Sequence, residues 1–171
     1  MSYDFHLFRP KPGVDPLLTA EQESAGEYPG RHDPEKEALN RVIAAALVQV
    51  NPALQVSEAS PEYLAELHGV SREEADGYFR DTDIDAGEHG NGIQISLFAD
   101  VADVSVPYWH TGHTAEAVFA EIWQYIQVME HETGFKTYDS QTGRIVESWS
   151  DMEAALRSYV GTVPRVRELP G

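Results

Sequence analysis

The side chains best suited to chemistry in this chain are histidines and aspartates. His110-Thr111-Gly112-His113 sets two imidazoles in a loop just ahead of a long helix, and Asp83, Asp85 and His89 lie in an acidic, glycine-rich stretch upstream. A helix N-terminus carries partial positive charge, which disfavours imidazolium. Neutral imidazole is the form that ligates a metal or acts as a general base. His110, His113, His89, Asp83 and Asp85 are therefore the candidate ligands of a divalent metal, the one cofactor these residue types allow. The composition does not demand one, and no cofactor is the default expectation. His-x-x-His in a loop lacks the helical spacing and the adjacent glutamate of a zinc-protease motif, and such histidines often do no more than bond to backbone.

Other chemistry is excluded residue by residue. There is no cysteine, so thiolate nucleophiles, thiolate metal sites and disulfides are absent. No nucleophile elbow, lysine-containing phosphate loop or serine–histidine–aspartate set can be traced. The segment Asp81-Thr82-Asp83-Ile84-Asp85-Ala86-Gly87-Glu88-His89-Gly90-Asn91-Gly92 imitates a calcium loop at its first, third and fifth positions. Its glycine comes one residue late, however, and Gly92 stands where a bidentate glutamate is needed. An acidic loop is the simpler expectation. Tyr108, Trp109 and Asp139 are candidates for gripping a partner, though a cap on the end of the core is the simpler expectation for the two aromatics.

The elements that must position these residues follow from periodicity. Tyr3 to Phe8 alternates as a strand, ended by Pro10, Pro12 and Gly13. Asp15-Pro16 and Asp33-Pro34 are each an N-cap followed by proline at the first helical position. The second opens a helix with Leu39, Val42, Ile43, Ala46, Leu47 and Val50 on one face. Residues 24–32 read as exposed loop, and Leu54 to Val56 as a brief extended piece. Ser60-Pro61 and Ser71-Arg72-Glu73-Glu74 start two short helices. Ile93–Phe98 and Ala102–Val106 form a hairpin reversing at residues 99–102. Thr114 is the expected cap of a helix running to about Thr133, with Gly134 just past its end. Phe135–Tyr138 is a strand, Arg144–Glu147 its antiparallel return, and Ser150-Asp151-Met152-Glu153 opens a last helix expected to close at Gly161.

Strand direction carries this further. The open end of the hairpin bears both the 81–92 loop and the 108–113 loop. A right-handed crossover makes Phe135–Tyr138 parallel to the second hairpin strand, bringing the 139–143 turn to the same end. Placing Tyr3–Phe8 between those two strands is expected to bring Arg9 and Lys11 there as well. The fold expected is α+β: a ferredoxin-like β-α-β-β-α-β core with a helical insertion over residues 60–92 and an extra C-terminal helix. A winged helix with extra strands is the alternative. Residues 1–161 form one expected domain, with 162–171 a flexible or docked tail.

Charge sorts the possible partners. The formal net charge is −17, and from Asp81 to Phe135 there is no Lys or Arg among ten acidic residues. Such a surface repels nucleic acid and anionic membrane and draws cationic partners. The N-terminus lacks the basic residues and apolar run of a signal peptide, so a cytoplasmic location is expected. Leu64-Ala65-Glu66-Leu67-His68-Gly69-Val70-Ser71 resembles the helix-turn-helix of bacterial repressors. Its second helix, however, offers Glu73, Glu74 and Asp76 where phosphates need donors. The runs Gly92–Phe98, Val106–Trp109 and Tyr138–Gly143 resemble small acidic bacterial α+β proteins, similar in general look to the immunity proteins of toxin systems. That resemblance covers about half the chain and implies no defined activity or site residues. The function expected is a non-enzymatic protein-binding module of immunity or inhibitor type, facing a basic partner. A metal-binding protein or hydrolase with a His/Asp site, and a helix-turn-helix DNA binder, are the alternatives.

Overall fold

The computed structural model describes residues 1–23 and 30–167. Seven strands form one open antiparallel sheet: β1 (Ser2–Phe8), β2 (Gln55–Glu58), β3 (Thr82–Asp85), β4 (Gln94–Leu97), β5 (Val101–Pro107), β6 (Lys136–Asp139) and β7 (Arg144–Val146). Their order across the sheet is β2-β3-β4-β5-β1-β6-β7, every neighbour antiparallel. The six α-helices are α1 (Pro16–Glu23), α2 (Pro34–Val50), α3 (Pro61–His68), α4 (Arg72–Ala75), α5 (Gly112–Thr133) and α6 (Trp149–Arg167). The fold class is α+β.

Alternation along each strand divides the sheet into an inward and an outward face, because successive side chains point to opposite sides. Tyr3, Phe5 and Leu7 of β1 face inward with Ile95 and Leu97 of β4 and Ala102, Val104 and Val106 of β5. Three helices cover that face, contributing Ile43, Ala44 and Leu47 from α2, Val118, Phe119, Ile122, Ile126 and Met129 from α5, and Met152, Ala155, Tyr159 and Val163 from α6. Burying each larger side chain stabilises the fold by roughly 1.5–3 kcal/mol. Phe8 points the other way and is still fully buried; α1 packs against β1, β6 and β7, and its Ala20 is buried outside the main core.

Local chemistry sets the helix ends. Asp33 accepts hydrogen bonds from the N–H groups of Glu35 and Lys36 and so caps α2, with Pro34 at its first position. Gly134, at φ 71°, ends α5 and returns its N–H to the Glu130 carbonyl.

Several expectations need correction. The acidic 81–92 stretch is not simply loop: Thr82 and Ile84 are buried and pair with Leu97 and Ile95, so the insertion adds strand β3 to the sheet. The β4–β5 hairpin lies between β3 and β1 in the sheet interior, which rules out a wing. α5 begins at Gly112 with Thr111 at its cap position, two residues and more before Thr114. α6 is capped from Asp151, which accepts the N–H groups of Glu147 and Ser148, and it passes through Gly161 to Arg167. Inward packing of Val163 accompanies that continuation. Residues 168–171 of the expected tail, and 24–29 of the expected loop, lie outside the described residues. β1 does sit between β5 and β6, but it is antiparallel to both, so its end points away from Pro107. Arg9 accordingly meets the Thr133 carbonyl (3.2 Å) and the Phe135 ring, and Lys11 follows it at that opposite end.

Candidate functional site

The open end of the hairpin gathers some of the predicted residues but turns them to structural work. His110 is buried; its backbone N–H donates to the Tyr159 hydroxyl (3.0 Å), and its Nε2 lies 2.6 Å from the Asn91 carbonyl. A carbonyl only accepts, so Nε2 carries the proton and is committed to that bond. Asn91 in turn donates to Glu121 (2.7 Å), which also receives Asn51 (3.0 Å) and the Tyr125 hydroxyl. Burial, and then the bond to Glu121, pushes the Tyr125 phenol well above its ordinary range. This chain of donors ties the loop before β4 to α2 and α5.

His113 points elsewhere. It is fully exposed on the first turn of α5, with Nδ1 2.9 Å from Glu116. Asp83 and Asp85 lie on β3, Asp83 two residues further from the open end. His89 ends a 3₁₀ turn, Gly87–His89, and its side chain lies outside the described residues. Among the described residues, no three histidine, aspartate or glutamate side chains are grouped to hold a metal ion.

The predicted partner contacts divide in the same way. Tyr108 is buried, its ring stacked on Tyr159 with centroids 5.1 Å apart. Asp139 is 1% exposed and accepts from the Tyr3 hydroxyl (2.7 Å), the N–H groups of Gln141 and Thr142, and the Thr142 hydroxyl. It shapes the β6–β7 turn and is not open to a partner. Trp109 is 57% exposed and is the one of the three that presents a surface.

A candidate surface that residue-by-residue reasoning missed is the outward face of the sheet. Ser57, Asp83, Ser96, Asp103, His6, Tyr138 and Ile145 fall in one register row across all seven strands. At about 4.8 Å between strands, that row is roughly 29 Å long. The next row holds Gln55, Asp85, Gln94, Ser105 and Asp4. Asp4, Asp83, Asp85 and Asp103 therefore share one face, and on β3, β4 and β5 its polar side chains are exposed or half-buried. Ser96 donates to Asp83 (2.6 Å). His6 lies with Nδ1 2.6 Å from Asp103, so Nδ1 carries the proton toward the carboxylate, while its Nε2 is buried with no hydrogen-bond partner.

Asp83, Asp85, Gln94 and Ser96 line an open hollow of about 210 Å³ on this face. A larger one of about 590 Å³, between α2 and α5, is bordered by Gln49, Val50, Gln124, Gln127 and His131. Neither resembles the enclosed pocket in which small substrates are buried. The signal for the outward row was present in the alternation of Asp83 and Asp85 with Thr82 and Ile84, and of Asp103 and Ser105 with Val104 and Val106. Only the pairing register puts those residues on the same side.

The helix-turn-helix stretch is built differently from a DNA reader. α4 is a single turn of four residues that includes Glu73 and Glu74. A recognition helix needs several turns to lie in a major groove. Among the described residues no helix is long and apolar enough to cross a membrane. No family model, curated protein or solved structure matches the chain.

Proposed function

We propose that this chain is a non-enzymatic binding module that receives a protein with a basic surface on the outward face of its sheet, in the manner of an immunity or inhibitor protein. One observation carries the reading: Asp4, Asp83, Asp85 and Asp103 come from three strands onto one face, exposed or half-buried, and the last three belong to the stretch from Asp81 to Phe135 that has no Lys or Arg. Carboxylates held at fixed strand spacing on a rigid sheet lose little freedom when a cation arrives. A net charge of −17 also speeds the encounter by long-range attraction. The ferredoxin-like reading of the core is supported by the central strand order β4-β5-β1-β6, with long helices α2 and α5 in the two connections between non-adjacent strands.

The test uses a fluorescent lysine homopeptide as a minimal cation. Binding is expected at about 50 mM salt and should weaken markedly by about 300 mM. Asp83→Asn, Asp85→Asn and Asp103→Asn combined should weaken it by about tenfold, some 1.4 kcal/mol. Binding that is absent at low salt, or untouched by the triple substitution, would sink the proposal.

A further inference from the structure

We infer that β2 is a docking edge, at which an extended basic segment of the partner adds as an eighth strand; this rests on the acidic-face reading and specifies how that face is engaged. β2 ends the strand order, and all four of its residues are exposed. Among the described residues, no hydrogen bond is made to its outer edge. An unpaired edge offers a row of N–H and C=O groups to any extended chain that reaches it, and sheets usually blunt such edges with lysine, proline or a bulge. β2 (Gln55-Val56-Ser57-Glu58) is short and carries one charge, Glu58, which Arg41 holds; it has neither lysine nor proline, and it pairs with β3 residue for residue, without a bulge. It is also held firm: Arg41 of α2 grips Glu58 through two bonds of 3.0 and 2.8 Å. The other edge, β7, is three residues long and lies against α1 and α6.

The side chains specify the occupant. Val56 pairs with the buried Ile84 and so sits on the inward face, yet it is 48% exposed, leaving the rim of the core unfinished there. Gln55 and Ser57 face outward beside Asp85 and Asp83. An added strand would therefore place an apolar residue beside Val56 and its alternating neighbours on the acidic face. Two strand spacings, roughly 10 Å, separate those neighbours from Asp83 and Asp85, a span that a lysine or arginine and an aspartate can close between them. The segment that fits alternates basic and apolar residues, the pattern by which strand-adding peptides are recognised. A second copy of this chain fits badly, since pairing through β2 would set two acidic faces and two charges of −17 side by side.

The experiment uses the full chain and two peptides of alternating lysine and valine, identical except that one is N-methylated at every residue, so that neither of its edges keeps a backbone donor. N-methylation removes backbone donors and leaves the charge intact. The plain peptide is expected to bind and to slow amide exchange at Gln55–Glu58, while the methylated one binds at least about tenfold more weakly. Val56→Pro and Ser57→Pro give a second readout. Adjacent residues alternate in direction, so one proline removes an edge-facing donor and the other a β3-facing one. The edge-facing substitution should abolish peptide binding while the fold persists. Equal binding of the two peptides, or no added protection at β2, overturns the edge while leaving the acidic face standing. Protection of β2 in the chain alone, rising with its concentration, overturns it in favour of a homodimer. Loss of lysine-homopeptide binding overturns the underlying acidic-face reading instead.

Discussion

Two acids, one buried and one half-buried, show how differently the same functional group can contribute. Asp139 is nearly out of solvent but receives four hydrogen bonds, so its burial is compensated and it organises the β6–β7 turn. Glu130 is served less well. Burial pushes its carboxyl above the usual glutamate range, with the Thr137 hydroxyl (2.8 Å) and Lys136 pulling the other way. A carboxyl raised in the folded state binds more protons there than in the unfolded chain, so stability falls as pH climbs from the ordinary glutamate range through the raised value. Glu130→Gln keeps an acceptor for Thr137 and removes the charge. It should raise the urea midpoint at pH 7 and leave it unchanged near pH 3.5, where the glutamate is protonated in both states; an equal midpoint at pH 7 would refute this. Residue types alone nominated His110 and His113 as a pair. What separates them is invisible in a window of four residues: the Asn91 carbonyl that claims one, and the open first turn of α5 that exposes the other.

At the scale of elements, the loop before β4 is clamped against the end of β5. Gly92 has φ +78°, and a Cβ there would meet Trp109 Cζ2 at 2.5 Å and Pro107 Cγ at 2.8 Å. Both the backbone angle and the contact exclude a side chain. Gly92→Ala is expected to cost about 1–3 kcal/mol and to shift Trp109 emission as its ring is displaced. Unchanged melting and unchanged emission together would contradict the clamp. Elements with strong end signals were legible: the Asp33-Pro34 start of α2 and the Gly134 stop of α5 each correspond to a real boundary. Weak or contradictory signals misled. β3 is four residues with two aspartates, a type depleted in strands, and its pairing with β2 and β4 makes it one. Gly161 is a plausible helix end by propensity, but α6 continues and carries Val163 into the core, so packing outweighs a cost of about 1 kcal/mol.

For the whole molecule, like charge opposes compaction. With 29 acidic residues against 12 basic ones, screening should stabilise the fold. The melting temperature is expected to rise by about 2–4 °C between low salt and about 300 mM sodium chloride, as for a gain of about 1 kcal/mol. A flat or falling dependence in differential scanning calorimetry would argue against net repulsion. Topology was partly legible at this scale. The hairpin and the shared direction of β5 and β6 match the expected strand pattern, and β1 lies where it was placed, between them, whereas the end at which Arg9 emerges depended on a direction that alternation does not encode.

That central position of β1 has a consequence for how the protein is made. β1 leaves the ribosome ahead of the two strands it pairs with, β5 and β6, whose registers reach Pro107 and Asp139. Tyr3, Phe5 and Leu7 must therefore wait, with no partner strand, until most of the chain has been synthesised. Contacts so distant in sequence close slowly, and an exposed apolar strand is prone to aggregate in the interval. The alternating Asp4 and His6 interrupt that apolar run, which helps keep the nascent segment soluble until its neighbours arrive.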